Sequence, residues 1–288
     1  MTFQKKPFPP VLLVLIAVLL WSTGGMFIKL AAGLDAYQVT FYRSLLAGIT
    51  VLVITRRNGL RINGFGVMCS VIYATLLFLF VWATKHTTAA NAIFLQYTAP
   101  VYILILAPFV IGERFHVRDL FTVIFCIAGM SLFFVGDLTV GDYQGNIAAL
   151  GSGIFLGLYI MLLKHPRALG MNSTITVIYG NFLLALLTLP SGIASFSSVT
   201  PRDLAAVGFL GVFQIGVSYI LFIKGVRGGT RPLDASIIGF IEPLLNPVWV
   251  FLFVGERPSN WAILGGAIII ATVVAHTAIQ YRVSAART

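Results

Sequence analysis

Ten stretches of this chain are apolar for long enough to cross a lipid bilayer, and no other feature limits its fold so severely. They lie near 11–32, 36–55, 64–84, 88–111, 117–135, 144–164, 172–190, 203–224, 232–254 and 260–279. A spanning helix needs about 20 apolar residues, so ten of them use about 200 of the 288 and leave about 88 for tails and loops. No soluble domain fits in that remainder. Backbone amides inside a bilayer must be satisfied within the spanning element, and runs of this length do so as helices. Composition agrees, at 58% hydrophobic and 10% charged, where soluble domains carry about 25% charged residues. Mean hydropathy is +0.96. The expected fold class is all-α integral membrane, with ten transmembrane helices.

The net charge of +10 does not point to nucleic acid. A nucleic-acid face needs basic residues clustered on soluble surface, whereas here they sit singly between apolar runs. They carry a topology signal instead, because cytoplasmic loops are enriched in Lys and Arg. Fourteen of the nineteen fall on one side of the alternating spans and four, Lys29, Lys85, Arg202 and Arg257, on the other. That split puts both termini in the cytoplasm and leaves Arg43 inside a span. Lys5 and Lys6 followed by an apolar run imitate a signal peptide, but that run exceeds a usual signal core and reads as an uncleaved first span.

The chain also repeats itself. NAIFLQYTAPVYILILAPFVIGER at 91–114 matches DASIIGFIEPLLNPVWVFLFVGER at 234–257 with a constant offset of 143, so that Pro100 falls on Pro243. WSTGGMFIK at 21–29 repeats more weakly as LGLYIMLLK at 156–164. The expected organisation is two halves, 1–138 and 139–288, of five spans each. Five is odd, so the halves cross in opposite senses and form an inverted five-plus-five structural repeat, a frequent build among secondary transporters.

Three segments carry a family resemblance: TKHTTAANAIFLQYTAPVYILILAPFVIGERFH (84–116), RGGTRPLDASIIGFIEPLLNPVWVFLFVGERPS (227–259) and FYRSLLAGITVLVI (41–54). Together they resemble the EamA branch of the drug/metabolite transporter superfamily, over nearly the whole chain. With the WSTGG of the first span, the pattern is most similar to the bacterial aromatic amino-acid exporters of the YddG type. The resemblance implies export of amino acids or other small metabolites from the bacterial inner membrane, through a central cavity between the halves.

Ionisable residues inside a bilayer are costly and by default face a bundle interior or wet cavity. Arg43, in the second span, and Glu242, in the ninth, both fall near the midplane. A zwitterionic amino acid offers a carboxylate for the planar fork of Arg43 and an ammonium for Glu242, which also has the chemistry to shuttle a proton. The alternative is that each is structural, held by the other or by carbonyls freed near proline. Pro100, Pro243 and Pro247 lie within spans, where proline removes a donor and clashes with the preceding turn. They are expected to break or kink their helices, as hinges for alternating access or as static bends.

Tryptophan gathers at membrane interfaces, which suits Trp82, Trp249 and Trp261. Trp21 falls near mid-span, where its indole N–H needs a partner, and is the best aromatic candidate for a cavity wall. Tyr73, Tyr97, Tyr179, Gln96, Asn181, Gln214 and Asn246 lie at similar depths. They are candidates to line a polar cavity with aromatic faces, or to bond helix to helix at about 0.6–2 kcal/mol per contact. Gly153 and Gly157 make a small-residue face for close helix packing. Cys69 and Cys126 lie inside apolar runs without metal-ligand spacing and read as packing residues. His86, His116, His165 and His276 read as isolated, which argues against a membrane enzyme, and a receptor fits a repeated bundle with a polar midplane poorly. No cofactor or metal is implied. The expected partners are an amino-acid substrate and membrane lipid, and one bundle suffices as a monomer.

Overall fold

The computed structural model describes residues 8–87, 89–133, 135, 142–254 and 259–285; the side chains of Asn246 and Pro247 lie outside the described residues. All the regular structure described is helical. The helices are α1 (Pro10–Trp21), α2 (Gly24–Leu30), α3 (Ala36–Thr55), α4 (Gly64–His86), α5 (Ala89–Gln96), α6 (Ala99–Val110), α7 (Val117–Phe133) and α8 (Tyr143–Leu162). There follow α9 (Thr174–Leu187), α10 (Leu189–Ser195), α11 (Pro201–Phe209), a π-helical stretch Leu210–Val217, α12 (Ser218–Arg227), α13 (Pro232–Gly239), α14 (Ile241–Val254) and α15 (Asn260–Ala285).

Each of the ten apolar runs is occupied by one helix or by consecutive helices. Seven continuous helical stretches have the length and composition to cross a membrane, and α9 with α10, bent by 62°, makes an eighth if taken as one span. Helix α7, at 17 residues, and α14, at 14, are shorter. The chain is thus a multi-pass helical membrane protein.

The ends of these helices are written in their capping residues. Asp35 accepts the Gln38 N–H at 2.9 Å while the Gln38 side chain accepts the Asp35 N–H at 2.9 Å, a reciprocal box that starts α3. Thr200 and Asp203 form the same box before α11, with Pro201 at the first helical position. Loops 56–63, 163–173 and 227–231 gather at one end of the bundle. There Arg227 donates to Ala168 O at 2.9 Å and Ser173 Oγ at 3.0 Å, and Asn172 Nδ2 to Gly59 O at 3.3 Å. This is the basic-rich end. At the other end, Lys85 Nζ donates to Leu34 O at 3.1 Å, and Thr87 to Asn146 Oδ1 at 2.9 Å.

Inside the bundle α4 runs along α8, α3 along α9 and the π stretch, α1 along α12, and α7 along α15. The expected small-residue face on α8 is what brings the broken fourth span close. A Cβ added at Gly153 would sit 2.8 Å from Gln96 O, and one at Gly157 3.2 Å from Ala99 O. Larger side chains there would push the α5–α6 junction away from α8. Cys69 and Cys126 are buried and free, as packing residues would be.

Candidate functional site

Four backbone irregularities converge at mid-bundle. The first span breaks at Ser22 and Thr23, between α1 and α2; the fourth at Tyr97 and Thr98, between α5 and α6; the ninth at Phe240, between α13 and α14; and the eighth loosens into the π stretch. Proline explains two of them. Pro100 is the second residue of α6 and Pro243 the third of α14, positions where a missing amide donor costs little. The two breaks are repeat-related, since residue 97 plus the offset of 143 gives 240. Hydroxyls repair the frayed turns: Ser22, Thr23 and Thr98 donate to Leu19 O, Leu20 O and Leu95 O at 2.7, 2.7 and 2.6 Å. Irregular backbone at this depth is tolerated where protein or a cavity satisfies it.

Two adjoining cavities occupy the convergence. The inner has a volume of about 40 Å³, room for a few waters, and includes Arg43, Gln96, Tyr97 and Tyr219 in its wall. The outer has a volume of about 60 Å³ and runs past Gly24, Gly25 and Ile28 to Thr84, toward the end opposite the basic-rich one. Trp21, Phe80, Gln214 and Glu242 line both.

Several expected residues meet here. Trp21 is 8% exposed, and its indole N–H finds the partner it needs in Ser218 Oγ at 2.8 Å. Gln96 Nε2 donates to Ser152 Oγ at 2.7 Å, and that hydroxyl donates on to Leu76 O at 3.0 Å. Tyr97 donates its hydroxyl to Glu242 Oε2 in a short hydrogen bond that joins the two repeat-related breaks. Gln214 lies on the π stretch, and its backbone carbonyl accepts the Ser218 hydroxyl. A Cβ at Gly24 would stand 2.8 Å from Gln214 Nε2, so glycine there gives this amide room.

Arg43 is 1% exposed, and its Nε and Nη2 have no hydrogen-bond partner among the described residues. The expected alternative, a pair with Glu242, is not formed: the ion pairs among the described residues involve His116, Arg118, Arg231 and His276. The Oε1 of Gln214 is likewise buried and unpartnered. The inner cavity therefore holds a spare cationic donor and a spare acceptor, with the Glu242 carboxyl group at its junction with the outer one.

Other candidates lie elsewhere. Tyr73 and Asn181 are fully buried but bond to each other, Asn181 Nδ2 to Tyr73 Oη at 3.1 Å, and line neither cavity. That is the interhelical alternative. Tyr179 is 41% exposed and donates to Leu60 O at 3.3 Å, near the basic-rich end. It therefore lies away from the cavities in depth as well as in the face it presents. Trp249 donates to Ser22 Oγ at 3.1 Å, which ties it to the first-span break rather than to an interfacial belt. Trp261 is exposed, as a belt residue would be. Cavity residues without a polar signal at mid-span, Phe80 and Tyr219, escaped the sequence reading; Tyr219 packs at 4.9 Å from Trp21 and 4.8 Å from Tyr73.

A second polar cluster closes the basic-rich end. Arg231 Nη2 reaches Asp119 Oδ2 at 2.8 Å, with Glu113 at 3.6 Å and Asp234 at 3.7 Å. His276 is not isolated: its Nε2 lies 2.8 Å from Asp234 Oδ1 and its Nδ1 3.2 Å from Thr122 Oγ1. Glu113 lies in the loop outside the spans, and burial pushes its carboxyl up from the ordinary range, with Arg231 beside it pulling the other way.

The EamA-like transporter family matches twice, over residues 8–135 and 143–277. An uncharacterized transporter of Archaeoglobus fulgidus is 27% identical over 94% of this chain and 98% of its own length. The pseudopaline exporter CntI of Pseudomonas aeruginosa is 24% identical over 92% and 94%. Human solute carrier family 35 member G1 is 22% identical over 94% and 80%. A protein of known crystal structure superposes with a TM-score of 0.80, covering 94% of this chain and 97% of its own at 18% identity, which shows a shared fold.

Proposed function

The chain belongs to the EamA-like transporter family, and on that premise we propose that it exports amino acids, aromatic ones among them, by alternating access about the mid-span cavity. In this reading ten spans form two inverted halves, 1–138 and 139–288, in a bacterial inner membrane with both termini cytoplasmic. The two family matches, one in each half, support the division, and the repeat-related breaks at Tyr97 and Phe240 support an axis between the halves. Fourteen basic residues on one side support the orientation. The cavity then extends toward the outside, while the Arg231 cluster bars the cytoplasmic end.

The observation that carries the cargo class is a cavity holding two opposite ionisable groups, Arg43 and Glu242, that do not neutralise each other, amid aromatic walls. A zwitterion with an apolar side chain complements such a space. The exporter from P. aeruginosa is named for a different cargo, pseudopaline, so the YddG-type assignment rests on the residues of this chain. Its relative's name favours a second reading, the same machine moving another small metabolite.

Uptake of labelled phenylalanine into proteoliposomes of purified protein separates the two. Saturable uptake, competed by several unlabelled amino acids, is expected. No uptake above empty liposomes, from protein shown to be folded, sinks the amino-acid assignment and leaves the other-metabolite reading to be tested next.

A further inference from the structure

The two cavities differ by one charged group. The inner one alone contains Arg43. The outer one continues past Gly25, Ile28 and Ile93, and apolar atoms dominate both walls. Glu242 and Gln214 stand where they join.

A guanidinium does not shed its proton in proteins, so Arg43 stays charged. A buried charge needs an opposite charge and filled hydrogen bonds to be tolerated. Nε and Nη2 of Arg43 are buried and unpartnered among the described residues. Glu242 is in the same cavity, yet it accepts from Tyr97 and makes no ion pair with Arg43 among the described residues. Arg43 thus keeps unfilled donor capacity in the wall of the inner cavity, and the group that matches a guanidinium fork is a planar carboxylate. Near it the unpartnered Gln214 Oε1 accepts and does not donate, which suits an ammonium.

We propose that cargo sits in one orientation: its carboxylate on Arg43 in the inner cavity, its ammonium between Glu242 and Gln214 Oε1, and its apolar side chain in the outer cavity. This deepens the reading that the cavity holds cargo and rests on it. The substrate class that follows is apolar carboxylic acids, with the carboxylate indispensable and the ammonium secondary. An amine of the same size, lacking the carboxylate, binds more weakly.

The test is thermal unfolding of the purified full chain in detergent with four probes. L-phenylalanine carries both groups, 3-phenylpropionate the carboxylate alone, phenylalaninamide and 2-phenylethylamine the ammonium alone. Charge-assisted hydrogen bonds set the scale of the gap. The two acids should stabilise the protein, and the amide and amine should need at least about tenfold higher concentration for the same shift. Arg43→Gln should erase that gap, and Arg43→Lys should keep part of it. Equal stabilisation by acids and amines in the wild type overturns the proposal, as does a folded Arg43→Gln protein that keeps the gap. Absence of any shift with either acid also overturns it, since the guanidinium is then solvated by water. If Arg43→Gln does not fold, the wild-type series decides. If proteoliposomes take up no phenylalanine yet the acids still outcompete the amines here, the proposed function falls and the carboxylate subsite stands.

Discussion

Arg43 and Arg231 are two arginines with inverted circumstances. Arg231 has a side chain 26% exposed and keeps three carboxylates within 3.7 Å. Arg43 is 1% exposed, with two guanidinium nitrogens unpartnered among the described residues. If both were structural, the deeper one would need partners more, because desolvation grows with burial. The reverse arrangement separates their roles. Arg231 joins Glu113 and Asp119 of the first half to Asp234 of the second and works as a clasp. In the proposed reading Arg43 is reserved for the cargo.

The sharpest way to break this contrast is to remove each arginine and measure unfolding in detergent. Arg231→Ala takes from Asp119, which is 1% exposed, its 2.8 Å partner and leaves it only the looser contacts of His116 at 3.7 Å and Arg118 at 3.8 Å. Breaking a buried pair costs about 3–5 kcal/mol, and the partial exposure of Arg231 argues for the lower end, about 3 kcal/mol. Arg43→Met removes a charge with no ion-pair partner to strand among the described residues and should leave stability unchanged or raise it by about 1 kcal/mol. Opposite signs sustain the contrast. A loss at Arg43→Met as large as at Arg231→Ala abolishes it.

The next largest effect concerns the acid in the cavity. Tyr97→Phe removes the hydroxyl that Glu242 accepts and should cost about 1.5–3 kcal/mol if the carboxyl is ionised. We expect Glu242→Gln to make transport in vesicles indifferent to an imposed pH gradient while leaving the clasp, and hence most of the stability, intact. If Glu242→Gln transports as before with the same pH dependence, proton coupling through this residue is ruled out. The cavity then differs from the clasp only in binding.

What the sequence made legible divides along the same line. Span positions follow from length and hydropathy, and the breaks at Tyr97 and Phe240 follow from Pro100 and Pro243, so the frame of the cavity was readable. Trp21 was readable because a mid-span indole needs a partner. Depth is read only coarsely from a span, and it does not fix the face, since each residue turns a helix by about 100°: Tyr179 is exposed and bonds to Leu60 O at the basic-rich end, whereas Tyr97 lines the inner cavity. The clasp was hidden for another reason. Arg231 and Asp119 are 112 residues apart, and each alone reads as an ordinary loop or helix-end charge. His276 looked isolated because Asp234, 42 residues away, comes beside it through the packing of α13 on α15.

Within the clasp, Glu113 offers the smallest and most discriminating test, because Arg231 holds it at 3.6 Å against 2.8 Å for Asp119. Burial pushes its carboxyl up and Arg231 offsets this in part. A carboxyl raised in the folded state stabilises that state while protonated. Its contribution is therefore complete below the ordinary carboxylate range and is lost as pH rises through the folded value. Glu113→Gln, which mimics the protonated form, should match the wild type at acid pH and become more stable than it toward neutrality, by less than about 1 kcal/mol because the side chain is partly exposed. Unfolding midpoints of both proteins across that pH range measure the gap. A gap that widens with pH in favour of Gln means that Asp119 carries the clasp and Glu113 merely tolerates it. A gap in favour of Glu at neutral pH means that Arg231 draws on both carboxylates, and the clasp is then tighter than its 3.6 Å contact suggests.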